Sequence, residues 1–337
     1  MADNNFCVDI GEKFTKVSDA TKIGDTLQVD ALGKIDTDAS FYISDLEKSA
    51  EKQAAEFKKL VDSLKITKKN VNVVVPGSLT YSQILVMPQL NEKELVSAIK
   101  YQADQFIPMP IEETNIDLEV IEELKTEKKL LILIVAAPKK LIEKIQTTIE
   151  YAGLIPESIE NELSASSRLI SQFNKKFFLP DQGGVIVANL GLNSTTLAYF
   201  DPITFNIKES HNFAVGYHLF LKEIAVNADA DEKKSIEILQ GFDNKNNSAY
   251  PVEKITGPLI REFTAEVKRF VAGKKISVIY IFNQIFLFTA LSNFVTQAVG
   301  VSTQVLDPYK FIIKTPITDS AKNELSLYAA SFGGNLR

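Results

Sequence analysis

Cys7-Val8-Asp9-Ile10-Gly11-Glu12-Lys13-Phe14-Thr15-Lys16-Val17 is answered later in the chain by Val187-Ala188-Asn189-Leu190-Gly191-Leu192-Asn193-Ser194-Thr195-Thr196-Leu197. In each stretch an apolar run ends in an acid or amide, then an apolar residue, then glycine, then a second run. This pattern reads as strand, tight turn, strand. Glycine lets the backbone turn sharply and brings its N–H groups close to an anion. A carboxylate at the strand end, such as Asp9, can hold a magnesium ion through water. Thr15, Lys16, Ser194 and Thr195 have the hydroxyls and the charge to complete an anion cradle. Either stretch alone is an ordinary β-hairpin; two of them, each opening one half of the chain, point to a shared chemistry.

Strands and helices alternate outward from both hairpins. After the first, Thr26–Leu32 and Ser40–Ile43 read as short strands. Leu46, Ala50, Ala54, Phe57, Val61 and Leu64 recur at helical spacing, which predicts an amphipathic helix over 45–64. Val71–Val75 and Tyr81–Met87 are strand-like, each closed by a proline. Asn91 and Glu94 form a capping box before a helix bearing Leu95, Ile99, Ala103 and Phe106. Asn115–Leu124 and Lys129–Ala136 pair as strands around a charged turn. A helix from Lys139 ends at Gly153, and another covers 158–173. Pro180-Asp181-Gln182-Gly183-Gly184 reads as a linker. Beyond the second hairpin, helices are expected near 217–226, 232–239, 252–271, 287–299 and 321–332, with a buried strand over Ile276–Phe282 and a polar loop over 243–250. Two successive α/β halves follow.

The whole chain has 337 residues, 37 Lys+Arg against 43 Asp+Glu, and a net charge of −6. That balance excludes a general nucleic-acid grip, which needs a basic face. The single Cys7 excludes an internal disulfide framework and a cysteine-based zinc cluster, and fits a reducing, cytosolic life. Met1-Ala2-Asp3-Asn4-Asn5 lacks a basic start, so no export signal is expected. Neither Leu130–Ala137 nor Val278–Leu291 reaches the roughly 20 apolar residues that span a bilayer. No phosphate-loop, dinucleotide or nucleophile-elbow motif is present. His211 and His218 flank Gly216 and read as structural, and Cys7 reads as core packing.

Longer motifs carry a resemblance. Val75-Pro76-Gly77-Ser78 is followed by Val86-Met87-Pro88, Asn91-Glu92-Lys93-Glu94-Leu95, and Ala98-Ile99-Lys100-Tyr101-Gln102-Ala103-Asp104-Gln105-Phe106-Ile107-Pro108-Met109-Pro110-Ile111-Glu112-Glu113. This run resembles the P-G-S, M-P, E-E-L and A-I-x-x-E-A-x-x-Y-I-P-F-P-L-E-E pattern of the PilM family of type IV pilus assembly proteins, related to the division protein FtsA. Val135-Ala136-Ala137-Pro138-Lys139, Ala152-Gly153-Leu154-Ile155-Pro156 and Tyr328-Ala329-Ala330-Ser331-Phe332-Gly333 also resemble family segments, so the likeness covers nearly the whole chain.

The resemblance implies an α/β, actin-like (ribonuclease H-like) fold of two lobes around a nucleotide cleft, with a small subdomain inserted in the first lobe. Residues 1–80 and 153–180 would form the first lobe, 81–152 the inserted subdomain and 181–337 the second lobe. It implies ATP with magnesium, held by Asp9 (the metal carboxylate), Gly11, Thr15, Lys16, Asn189, Gly191, Ser194, Thr195, Gly216, Asp231 and Lys234. It also implies a partner, the N-terminal tail of a PilN-like inner-membrane protein, in a groove for which Tyr101, Phe106, Ile107 and Met109 are candidate lining residues.

Three departures weaken the nucleotide site. Glu12 and Lys13 replace small hydroxyl residues, Asn189 replaces an aspartate, and Phe282-Asn283-Gln284-Ile285 stands where the family has S-G-G-G. Losing the carboxylate weakens metal coordination, and side chains in place of glycine crowd a base. The expectation is a cytoplasmic adaptor, peripheral to the inner membrane through its partner and in contact with other pilus components. It would not insert into the membrane itself, its ATP binding would be weak or lost, and it would have no catalytic residues. The alternatives are an ATP-dependent, self-associating FtsA-like protein or weak ATPase, and a metabolic kinase of the same fold. The lack of a C-terminal amphipathic helix opposes the FtsA-like reading, and Asn189 opposes the kinase reading.

Overall fold

The computed structural model describes residues 5–102, 107–178, 183–242 and 250–337. The chain divides into two compact units, Met1–Ser171 with Asn206–Ser210 and Ala330–Arg337, and Gln172–Phe205 with His211–Ala329. The expected break after 180 therefore falls at Ser171, and the last eight residues join the first unit.

In the first unit, β1 (Asn5–Ile10), β2 (Phe14–Ile23), β3 (Thr26–Asp36), β4 (Asn70–Val75) and β8 (Ile155–Asn161) form one sheet in the order β3-β2-β1-β4-β8. β1–β2 and β2–β3 are antiparallel, while β1–β4 and β4–β8 are parallel. The valine-rich β4 is buried, as the inner strand of a covered parallel pair must be. Helices α1 (Glu47–Ser63) and α3 (Lys139–Tyr151) cover the sheet. Ala54, Phe57 and Val61 of α1 and Ile145 and Ile149 of α3 pack with Phe6, Val8, Val71 and Val73. Each of these valine, isoleucine and phenylalanine side chains contributes roughly 1.5–3 kcal/mol by leaving water.

Between β4 and α3 the chain builds a separate three-stranded sheet, order β5-β7-β6, from β5 (Tyr81–Pro88), β6 (Thr114–Leu124) and β7 (Lys129–Pro138). Helix α2 (Glu92–Gln102) covers one face, with Leu95 and Ile99 against Leu130, Ile132 and Ile134. The expected capping box is formed: Asn91 N–H donates to Glu94 and Glu94 N–H to Asn91 Oδ1, both at 3.0 Å. Helix α4 (Glu162–Gln172) follows β8, and the short α5 (Asn174–Phe177) follows α4.

The other five-stranded sheet repeats the first sheet's plan. β9 (Gly184–Leu190), β10 (Thr195–Phe200), β11 (Ile207–Phe213), β12 (Ile276–Asn283) and β13 (Thr303–Val305) lie in the order β11-β10-β9-β12-β13. Again a hairpin, β9–β10, sits beside parallel strands. Its helices are α6 (Tyr217–Asn227), α7 (Glu232–Gln240), α8 (Val252–Val271), α9 (Leu291–Val299) and α10 (Pro316–Ser320). The last helix, α11 (Ala329–Gly334), ends in the first unit. There Asn72 Nδ2 donates to the Gly334 carbonyl (3.0 Å) and Asn335 Nδ2 to Ser18 Oγ (2.6 Å).

Several local expectations change. The helix read over 158–173 begins only at Glu162, because Ile155–Asn161 is the edge strand β8. Pro156 and four polar residues hide its strand pattern, and pairing with β4 decides it. Ser40–Ile43 is a turn, tied by the Asp38 carboxylate accepting from the Ser40 N–H at 2.9 Å. The helix read over 287–299 starts at Leu291, after a single tight turn over Gln284–Leu287. Residues 180–182 of the expected linker and 243–249 of the expected polar loop lie outside the described residues.

Candidate functional site

In the first unit the β1–β2 register sets Asp9 opposite Lys16 and Ile10 opposite Thr15. Gly11 N–H closes the turn on the Phe14 carbonyl at 3.0 Å, and a Cβ there would lie 2.8 Å from that oxygen. Only glycine fits. Asp9 is fully buried, and the equally buried Lys16 ammonium stands 2.6 Å from its Oδ2. Asp9 Oδ1 has no hydrogen-bond partner among the described residues. Burial pushes the Asp9 carboxyl above its ordinary range; Lys16 opposes this and nearby Glu162 adds to it. Glu162 is the first residue of α4 and accepts from the Gly77 N–H at 3.1 Å. Thr15 is buried and engaged from within, with Thr37 Oγ1 and Gln53 Nε2 each at 2.9 Å. Thr37 in turn donates to the Gly11 carbonyl (2.7 Å), and the Tyr42 hydroxyl to that of Ile10.

The second hairpin closes in the same way, with Gly191 N–H on the Ser194 carbonyl at 2.9 Å. Its turn lies against the head of α6. Tyr217 N–H donates to the Gly191 carbonyl (3.0 Å) and His218 N–H to that of Leu192 (2.9 Å). Gly216 permits this approach, since a Cβ would fall against the Leu192 carbonyl and 2.6 Å from the Asn193 carbonyl carbon. Thr195 donates to the Val215 carbonyl at 2.6 Å, and Ser194 Oγ accepts from Asn212 at 3.4 Å. Asn189 Oδ1 accepts from Asn283 Nδ2 at 2.8 Å. Asp231 caps α7, taking the Lys234 N–H at 2.8 Å, and the Lys234 ammonium turns to Glu237. Both serve their own helix.

The inserted sheet has a second face, away from α2. Strand register aligns three rows across it: Ser82–Val135–Asp117, Ile84–Leu133–Glu119 and Val86–Leu131–Glu122. Each row runs from β5 through β7 to a carboxylate on β6. Val86 is 53% exposed. The head of α4 meets this face, through Asn161 Nδ2 on Ser82 Oγ (2.5 Å) and Ser164 Oγ on Glu119 (3.3 Å). Lys208 pairs with Glu122 at 2.7 Å. Of the residues expected to line a partner groove, Tyr101 is 87% exposed on α2. Ile107 is buried with Ala136, and Met109 packs beside it. Phe106 lies outside the described residues.

A family model described as type IV pilus assembly protein PilM matches residues 7–333. The chain belongs to the PilM family. A solved PilM–PilN type IV pilus biogenesis complex is similar at a TM-score of 0.84 and 18% identity, covering 99% of this chain and 98% of that one. The ethanolamine utilization protein EutJ of Carboxydothermus hydrogenoformans is similar at a TM-score of 0.54 and 13% identity, covering 98% and 88%. A Bacteroides thetaiotaomicron protein with actin-like ATPase fold and unknown function is similar at a TM-score of 0.51 and 13% identity, covering 97% and 95%. These likenesses establish the actin-like fold that the family resemblance implied.

The fold implies a magnesium-bound adenine nucleotide, and the two hairpins of this PilM-family chain suit it unequally. Asp9, with an orphaned Oδ1 beside Glu162 and Lys16, has the donors and charges that a hydrated cation and a phosphate need. Around Gly191 the first two amides of α6 are already engaged, and Asn189 offers an amide that Asn283 already uses. Sequence reading missed Glu162, Thr37, Gln53 and Tyr42. Asn161-Glu162 at a helix start was the available signal, an acid at the head of a helix. The other three come from distant segments and left none.

Proposed function

We propose that this PilM-family chain is a non-catalytic adaptor of type IV pilus assembly that holds the N-terminal tail of a PilN-like inner-membrane protein. The second face of the inserted sheet is the seat this reading assigns to the tail. Its half-exposed Val86, beside the partly buried Ile84 and the buried Leu131 and fringed by carboxylates, is the observation that carries the proposal. An extended peptide gains affinity there by burying alternate apolar side chains, with the strand rows setting its register. Ile107 and Met109 pack behind the seat, on the α2 side of the sheet, while Tyr101 stands exposed on α2 away from it. The protein would sit at the cytoplasmic face of the inner membrane through that partner, and other pilus components would dock on the complex. No helix among the described residues is long and apolar enough to cross a membrane. The chain spans 98% of the solved PilM–PilN chain that it resembles, which supports a partner of the same kind.

Calorimetric titration of a synthetic PilN-like tail peptide tests the reading. Val86→Asp should weaken binding at least about tenfold, because a carboxylate would be buried against apolar side chains. Tyr101→Ala should bind as the parent does. Equal affinity of parent and Val86→Asp would remove this face as the seat.

A second reading, a weak nucleotide binder, rests on the orphaned Asp9 Oδ1. Asp9→Ala would then abolish any magnesium-dependent phosphate binding.

A further inference from the structure

Three of the side chains that stand at the second glycine turn touch one another. Asn283 Nδ2 donates to Asn189 Oδ1 at 2.8 Å, and Gln284 Nε2 reaches Asn283 Oδ1 at 3.5 Å, a long contact. All three are buried. The contact follows from strand register: β9 and β12 run parallel, with Phe282 opposite Asn189 and Asn283 opposite Leu190. The end of β12 is thus the immediate neighbour of the turn at Gly191.

Asn283 has a backbone conformation, φ 71° and ψ −120°, that glycine adopts freely and other residues rarely do. An asparagine held there signals that its side chain contributes something that outweighs the strain. The bond to Asn189 is that contribution. The neighbours leave little room: Phe282, Ile285 and Leu287 are all buried around it, and Gln284 is 3% exposed. Its Oε1 ends the ladder without a hydrogen-bond partner among the described residues. On the other side of the turn, the first amides of α6 are taken by the Gly191 and Leu192 carbonyls.

We infer that Asn189, Asn283 and Gln284 form a contacting amide ladder that closes the second unit's glycine turn to an adenine nucleotide. A metal-holding carboxylate and an open glycine backbone are replaced together, as one contacting set. The uncharged ladder leaves no anionic oxygen for a cation, and its side chains cover the backbone a base would approach. This inference is independent of the peptide seat. If both hold, the grip on the tail is constitutive rather than gated by nucleotide.

Thermal melting of the purified chain with millimolar Mg·ATP and Mg·ADP tests it. The parent midpoint should stay within about 1 °C, since a ligand that does not bind the native state cannot shift it. The double variant Asn189→Asp with Asn283→Gly restores both the carboxylate and the glycine, and should show a saturable, magnesium-dependent rise. Circular dichroism and a cooperative melt establish that it is folded. Should it not fold, Asn283→Gly alone keeps the test, read as a gain in fluorescence anisotropy of a labelled ATP analogue over the parent. A saturable shift in the parent would overturn the inference. So would a folded variant that gains no binding.

Discussion

The two glycine hairpins occupy equivalent places in two sheets of the same strand order, yet they solve the same electrostatic problem in opposite ways. Around Gly11 a full charge is buried and countered by another full charge, Asp9 against Lys16 at 2.6 Å. Around Gly191 the corresponding position is an amide, Asn189, countered by a second amide from the next strand. A buried ion pair is expensive to desolvate and is weak evidence for stability, so a protein that keeps one often keeps it for another reason. An amide pair costs less and does less. The contrast suggests that the first turn retains a capacity for charged ligands that the second has exchanged for local stability.

The largest effect that could break this comparison comes from Lys16→Met. Removing the ammonium leaves a buried, uncompensated carboxylate, and the cost should be about 3 kcal/mol at pH 8. The sign of the pH dependence is unusual for an acid. Burial raises the folded Asp9 carboxyl above its unfolded value, so the native state holds the proton to higher pH than the unfolded chain does. The Asp9 contribution is therefore most favourable below the unfolded value near about 4 and is lost as pH rises through the folded one. Urea unfolding of Lys16→Met at pH 8 and pH 5 should show the smaller deficit at pH 5. An equal deficit at both would mean that the Asp9–Lys16 pair is not the source of the effect.

A smaller effect tests the claim that the second turn is held by close backbone approach. Gly216→Ala forces a methyl group against the Leu192 carbonyl and should cost about 2 kcal/mol by overpacking. The loss should appear as a lowered denaturation midpoint with an unchanged slope. A neutral result would mean that the turn at Gly191 can move away from α6 and release the two amides it engages.

The smallest expected change sharpens the neutral side of the comparison. Gln284→Met removes the partnerless buried Oε1 together with the long Nε2 contact to Asn283 Oδ1; the two effects oppose, and stability should change by less than about 1 kcal/mol. A loss well above that in urea unfolding would show that the Nε2 contact holds the ladder together.

Much of this architecture is legible in the amino-acid sequence. Both hairpins, the buried strands over Val71–Val75 and Ile276–Phe282, and the helices at 47–63 and 252–271 follow from periodicity, glycine and proline. The edge strands β8 and β13 are not legible there. β8 carries Pro156 and four polar residues without alternation, and β13 has three residues, so neither signals a strand without its neighbour. The site is half legible. Asp9, Lys16, Asn189 and Gly216 stand out by position in a motif, but what they touch does not. Thr15 and Thr195 look like anion ligands in sequence; in three dimensions their hydroxyls are tied to Gln53 and Thr37, and to the Val215 carbonyl.

Sequence by itself determined the doubled α/β plan, the family and the two turns, because glycine placement and apolar periodicity are local properties of the backbone. Tertiary structure alone decided that Asn189 meets Asn283, that Glu162 lies near Asp9, and that Val86 stands half exposed beside a row of carboxylates. Those contacts join residues far apart in the chain. Strand register and packing bring them together, and no local pattern of residues encodes either.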